Sequence, residues 1–206
     1  MQRISRVMKR MLDVAVSLAG LILLSPVLLA IAAVIKWDSP GPVFFKQERI
    51  GRGFRPFLIY KFRTMVSRSQ AGRLFTVAGD PRVTRCGAFL RKTKLDELPQ
   101  LINVLKGEMT LVGPRPEVPR YVAAFHREYE EILTVRPGLT DLASLKYRDE
   151  AALLGRSADP EREYLHRILP DKIRLGKEYI QRSSVLFDLS LIFRTLLKIV
   201  FPRSAT

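Results

Sequence analysis

Two adjacent carboxylates, Asp96 and Glu97, stand just after an accumulation of cations formed by Arg82, Arg85, Arg91, Lys92 and Lys94. Thr93-x-x-Asp96 matches a capping box, and Leu95, Leu98, Leu101, Ile102 and Leu105 recur at helical spacing. The acidic pair is therefore expected in the first turn of a helix. Pro99 suits an early-helix position or else forces a kink just after the pair. Acids at a helix start commonly do no more than complement its dipole. A helix amino terminus flanked by arginine and lysine also attracts phosphate, and a carboxylate held there can both ligate Mg2+ and attack phosphorus. Neighbours on a helix diverge by about 100°, so the two acids cannot play one role at one atom. One would act on phosphorus while the other orients it, the metal or an arginine.

Downstream, Gly113-Pro114-Arg115-Pro116-Glu117 holds Arg115 between two prolines in a stiff segment. A preset guanidinium of this kind suits two-point contact with phosphate. Arg136-Pro137-Gly138 repeats the theme, although an exposed turn arginine explains it equally well. Adjacent carboxylates do not naturally flank a glycosidic bond at the separation that its hydrolysis requires, which argues against a glycosidase. His126 and His166 are far apart and read as ordinary surface or packing residues. With Cys86 as the only cysteine, the chain can form neither an internal disulfide nor a multi-thiolate metal site.

These residues need a scaffold. The chain has 206 residues, 47% apolar and 27% charged, which fits one folded domain. Lys and Arg number 35 against 20 Asp and Glu, a formal charge of +15 that calls for a polyanionic environment, either nucleic acid or an anionic membrane surface. From Val14 to Ile35 no charge appears, and a helix of that length spans about 33 Å, enough to cross a bilayer core. The run is too long for the apolar part of a cleavable signal, and Lys36-Trp37-Asp38 follows it in place of a cleavage site. Arg3, Arg6, Lys9 and Arg10 precede the run, while Lys36, Lys46, Arg49, Arg52 and Arg55 follow it. Both ends thus carry a cytoplasmic signature. Pro26 cannot donate to the carbonyl of Ile22, and the Ser25 hydroxyl can satisfy a carbonyl freed by the break. A helix-break-helix that enters and leaves by the same face accounts for all of this; a straight or mildly kinked span remains the simpler alternative. Asp13 is within reach of Lys9 or Arg10 one turn back.

Beyond Asp38-Ser39-Pro40-Gly41-Pro42, the runs Val43-Phe44-Phe45 and Phe57-Leu58-Ile59-Tyr60 read as a small β-hairpin closed by a glycine-containing loop. From Lys36 to Arg73 there are nine basic and two acidic residues, with Phe44, Phe45, Phe54, Phe57, Tyr60 and Phe62 interleaved and Phe75 close behind. This texture suits single-stranded nucleic acid or an anionic headgroup layer, and the neighbouring apolar segment favours the membrane. The stretch 149–177 is charged and helical without a recognisable motif. From Val185 to Phe201, Ser184, Asp188, Thr195 and Lys198 form a narrow polar stripe on an otherwise apolar helix. Such a helix reads as interfacial and amphipathic, with a buried core helix as the alternative. The expected architecture is α+β and mainly helical: a re-entrant membrane hairpin over 1–36, then a catalytic domain over 37–206 with a small β-hairpin and the interfacial helix.

Lys9-Arg10-x-x-Asp13, Ser25-Pro26, Lys61-Phe62-Arg63-Thr64-Met65, Leu95-Asp96-Glu97-Leu98-Pro99-Gln100, Gly113-Pro114-Arg115-Pro116 and Arg136-Pro137-Gly138 occur in an order that resembles the bacterial sugar transferases, monotopic polyprenyl-phosphate phosphoglycosyl transferases in their minimal form. The resemblance covers roughly residues 9 to 145. It implies that Asp96 attacks the sugar-bearing phosphate of a UDP-sugar, expels UMP and passes the phosphosugar to polyprenyl phosphate, starting a membrane glycan. It further implies that Asp96 binds Mg2+ and that Glu97 supports the site with Arg91 as its partner. Lys61, Arg63, Thr64, Arg91, Pro114, Arg115, Pro116 and Arg136 would hold the phosphates or the nucleotide, with Ser25 and Pro26 at the membrane break. Its implied location is the cytoplasmic face of the bacterial inner membrane, among anionic phospholipids and with no nucleic acid partner; whether two copies form a homodimer stays open. Where the family's loop commonly continues with glycine and later glutamine, this chain has Asp141 and Ser144, which leaves donor specificity undecided.

Overall fold

Pro26 decides the first feature of the fold. Helix α1 (Gln2–Leu23) and helix α2 (Ser25–Asp38) meet at Leu24 with their axes bent by 61°. Pro26 removes one helical donor, and the Ser25 hydroxyl donates to the carbonyl of Ile22 at 2.8 Å, so the break leaves that group satisfied. No described helix is by itself long and apolar enough to cross a membrane, although this bent pair is by length and composition.

The computed structural model describes residues 2–66, 76–77 and 79–201, so Arg68, Arg73 and Phe75 of the basic, aromatic stretch lie outside the described residues. Strands β1 (Phe44–Ile50) and β2 (Pro56–Phe62) form an antiparallel hairpin running in register from Phe44 opposite Phe62 to Ile50 opposite Pro56. Its loop carries Gly53 and Phe54 at positive φ, and the Phe54 ring stacks on His126 at 4.6 Å, a contact that offsets the strain at a non-glycine residue. Asn103 on α4 (Leu101–Lys106) continues the pairing of β2: it accepts the amide of Tyr60 and donates to the carbonyl of Leu58. Helix α3 (Arg85–Thr93) is capped by Thr84, whose hydroxyl accepts the amide of Gly87.

A second sheet was not signalled by the sequence. The three-residue strands β3 (Thr110–Val112) and β4 (Gly138–Thr140) pair in parallel. At three residues each they are too short to show a periodicity. The rest of the described chain is mainly helical: α5 (Pro119–Ala124), α6 (His126–Ile132), α7 (Leu142–Lys146), α8 (Glu150–Gly155), α9 (Pro160–Glu163), α10 (Leu169–Arg182) and α11 (Val185–Val200). One core joins α5, α6 and α10 around Tyr129, Ile168 and Leu169; a second joins β2, α4, β3 and α11 around Ile59, Val104, Met109 and Leu191. The architecture is mainly helical with a small antiparallel sheet, as expected.

Helix α1 is fastened to this body by polar side chains. Lys9 donates to the carbonyl of Val112, the hydroxyl of Tyr179 and the carboxylate of Asp188. Arg10 donates to the carbonyls of Val104 and Leu105, satisfying the end of α4. Asp13 does not pair with Lys9 or Arg10 as the spacing suggested; it accepts from the Thr110 hydroxyl and the Leu111 amide, because each cation has a buried partner elsewhere. The polar stripe of α11 likewise turns inward: Asp188 meets Lys9 and Tyr179, Thr195 meets Thr140, and Lys198 donates to the carbonyl of Leu145. The faces left outside are apolar, with Leu23 77%, Trp37 87% and Leu186 81% exposed among many others on α1, α2 and α11.

Lys9→Met should leave the Asp188 carboxylate without its cation and lower stability by about 2 kcal/mol, less than for a fully buried pair because Lys9 keeps some contact with solvent. Thermal melting in detergent reads this. Replacing both residues, Lys9→Met with Asp188→Leu, should recover about half of the loss.

Candidate active site

The segment bearing the acidic pair is not the start of a regular helix. Thr93 does not cap it; its hydroxyl bonds back to the carbonyls of Phe89 and Leu90, so Thr93 closes α3. Lys94 then takes a left-handed conformation, and Leu95–Gln100 forms a 3-10 turn before α4 begins. Pro99 lies within this turn. Without an amide hydrogen it cannot bond the carbonyl of Leu95, so the regular helical ladder starts only beyond it.

Within this turn the two acids have opposite surroundings. Glu97 is clamped: the Lys61 ammonium on β2 donates to its Oε1 at 2.7 Å, and the Arg115 guanidinium makes a two-point contact with both oxygens. Burial pulls the Glu97 carboxyl upward, but Arg115 and then Lys61 outweigh it and hold this acid well below the usual carboxylate range. Asp96 is 8% exposed, and its Oδ1 is buried with no hydrogen-bond donor among the described residues. Burial, together with the charge of Glu97, raises its pKa despite the fields of Lys61, Arg91 and Lys94. One acid is thus a fixed anion and the other an open oxygen close to cations.

Several expected partners are elsewhere. Arg91 is not the partner of Glu97; its Nε donates to the Thr64 hydroxyl at 2.8 Å, while Lys61 and Arg115 occupy the glutamate. Burial lowers the pKa of Arg91, and the field of Asp96 opposes that shift more than that of Glu97 does. Arg63 is not brought to the dyad. Its guanidinium is buried against the carbonyls of Ile35, Ser39 and Pro40, where it seals the end of α2. Arg136 is half-buried beside Arg10 and Arg52, with burial the first cause of its lowered pKa. Pro114 and Pro116 flank Arg115 as expected, and Ser25 and Pro26 lie at the α1–α2 bend.

Two glycines bring backbones together here. A Cβ on Gly87 would lie 2.1 Å from the Thr64 carbonyl oxygen, so only glycine lets α3 approach closely enough for Arg91 to reach Thr64. A Cβ on Gly138 would lie 2.1 Å from the Gly113 amide nitrogen, which explains why β4 can lie beside the segment leading to Arg115.

Among the described residues no group of three or more His, Cys, Asp or Glu could hold a metal. The donor set nevertheless fits Mg2+, a hard ion that commonly takes one or two carboxylates and completes its shell with water and substrate phosphates, because Asp96 offers a carboxylate oxygen with no donor on it. Cations on several elements, exposed apolar side chains on α1, α2 and α11 and a carboxylate oxygen with no donor among the described residues together suit chemistry on a phosphate carried by a lipid.

A family model described as bacterial sugar transferase matches residues 4–202. The chain is 42% identical over 194 residues to a UDP-N-acetylgalactosamine-undecaprenyl-phosphate N-acetylgalactosaminephosphotransferase of Aeromonas hydrophila, covering 91% of this chain and 42% of that protein. It is 37% identical over 204 residues to a UDP-glucose:undecaprenyl-phosphate glucose-1-phosphate transferase of Escherichia coli (strain K12), covering 95% and 40%. It is 40% identical over 198 residues to the exopolysaccharide production protein PSS of Rhizobium leguminosarum bv. phaseoli, covering 92% and 94%. The chain therefore spans about two fifths of the first two relatives and nearly all of the third.

Gly87→Ala should force α3 away from Thr64 and cost about 2 kcal/mol, the scale of overpacking at a tight contact. A melting temperature equal to that of the parent would show that this approach does not constrain α3.

Proposed function

Because the chain belongs to the bacterial sugar transferase family, we propose that it transfers a phosphosugar from a UDP-sugar to polyprenyl phosphate, most simply undecaprenyl phosphate, releasing UMP and starting assembly of a membrane glycan. The observation that carries the reading is the contrast inside the dyad: Glu97 held by Lys61 and Arg115, and Asp96 beside it with a buried oxygen that no described donor satisfies.

In the proposed reaction an Asp96 carboxylate oxygen attacks the phosphorus that bears the sugar. The bond from that phosphorus to the bridging oxygen breaks, and UMP leaves with the electron pair. Asp96 then holds the phosphosugar as an acyl phosphate. An oxygen of polyprenyl phosphate attacks the same phosphorus, the bond to Asp96 breaks, and polyprenyl diphosphosugar departs with the carboxylate restored. The raised pKa of Asp96 reflects an anion that burial disfavours and hence a more reactive nucleophile. Glu97 stays ionised and orients Lys61 and Arg115, whose remaining donors face developing charge on the phosphate. Mg2+ held by Asp96 and the diphosphate would supply charge neutralisation. Arg91 serves on the Asp96 side, Thr64 orients it, and Arg63 acts structurally at the base of α2.

The membrane reading has its own support. The bend at Leu24, basic residues at both ends of the apolar run and the outward apolar faces of α1, α2 and α11 favour a re-entrant hairpin over 1–36. With residues 37–206 it makes one functional unit on the cytoplasmic face of the inner membrane. There α11 lies at the interface, presenting its apolar side to lipid and its polar stripe to the protein.

Asp96→Asn should reduce UMP release from UDP-sugar by about a thousandfold or more, while Glu97→Gln, which keeps the shape and loses the anion, should reduce it about a hundredfold. Full turnover by Asp96→Asn would remove the proposed nucleophile. In a Cys86→Ser background, single cysteines at Val7 and Trp37 should react with an impermeant thiol reagent from the same side of sealed vesicles. Labelling from opposite sides would rule out the hairpin.

A further inference from the structure

The turn between β4 and α7 carries a carboxylate with partners on two separate segments. Asp141 is 3% exposed; its Oδ1 accepts the Ser144 amide at 2.7 Å, and its Oδ2 accepts the Arg115 amide at 3.1 Å. The first bond is an ordinary amino-terminal cap for α7. The second goes beyond capping. Pro114 and Pro116 have no amide hydrogen, so the Arg115 N–H is the one backbone donor between Gly113 and Glu117. The parallel strand pair reaches this loop through Gly113 to Thr140 and Gly138 to Pro114, and ladder bonds stop there. Asp141 therefore ties down the loop at the residue whose guanidinium holds Glu97.

We propose that Asp141 is a positioning residue: by holding the Arg115 amide it sets the direction from which the Arg115 guanidinium meets Glu97, and with it the arrangement of Glu97 and Lys61 beside Asp96. The inference rests on the phosphosugar-transfer reading for its effect on turnover. Its structural part does not.

The test uses the full chain in detergent. Asp141→Ser keeps a hydroxyl that accepts the Ser144 amide and caps α7, but its single short oxygen cannot also hold the Arg115 amide. Two quantities are read beside the melting temperature: hydrogen exchange at the Arg115 amide, and kcat and KM for UMP release. The expected result is a melting temperature close to the parent, exchange faster by about tenfold, and kcat/KM lower by about tenfold with most of the loss in kcat. Parental exchange and parental kcat together would overturn the proposal, leaving Asp141 as a helix cap alone. Should Asp141→Ser melt far below the parent, Asp141→Asn, which keeps the shape and one acceptor oxygen, is judged by the same two readouts. If the parent itself releases no UMP from any UDP-sugar, the functional reading fails, and the exchange measurement alone decides for or against the positioning role.

Discussion

The Glu97 carboxylate, held between Lys61 and Arg115, is the interaction on which the rest of the site depends. Left alone in a buried place, a carboxyl group would take up a proton; two cations supplied from different directions keep it ionised. One cation comes from the antiparallel hairpin and the other from the loop between β3 and α5, so a single anion joins three segments by charge as well as by apolar packing. A two-stranded hairpin is marginal by itself, and here it is held by this charge and by Asn103 as well as by packing of Ile59 and Phe62. Asp96 inherits its environment from that arrangement: it shares a short turn with an immovable negative charge.

The helices α1 and α11 are anchored to the body by polar side chains as well as by packing. On α1 and α11, Lys9, Asp13, Asp188 and Thr195 find partners in the body and Leu191 packs into it, while Leu23, Leu186 and Phe193 stay exposed. The hydrophobic effect alone would not arrange a helix in water this way. The polar contacts give each helix a rotational setting that apolar packing leaves loosely specified.

What the sequence disclosed was whatever is encoded within a few residues. The break at Ser25-Pro26, the hairpin around Gly51 and Gly53, and the acidic pair after a run of cations each arise from neighbours along the chain. Pairings across the fold were not legible. Spacing offered Asp13 to Lys9 or Arg10, and the family resemblance offered Arg91 to Glu97, yet each of these cations is drawn to a carbonyl, hydroxyl or carboxylate distant in sequence. Arg63 sits in a motif with Lys61, but β2 ends at Phe62: Lys61 reaches the dyad from the strand, while Arg63 beyond it reaches the end of α2. Asp141 looked like a departure from pattern because its partner, the Arg115 amide, lies 26 residues back. The capping box at Thr93 failed for a local reason that periodicity overlooks: its hydroxyl closes the preceding helix α3.

The bond between Lys9 and Asp188 joins residues 179 apart. At roughly 5–20 residues per second, a ribosome delivers the second partner about ten to forty seconds after the first. Thr110, whose hydroxyl donates to Asp13, arrives between them. Lys9 on the first helix thus waits for its carboxylate until α11 has been made, and the rotational setting of α1 becomes final only when α11 docks.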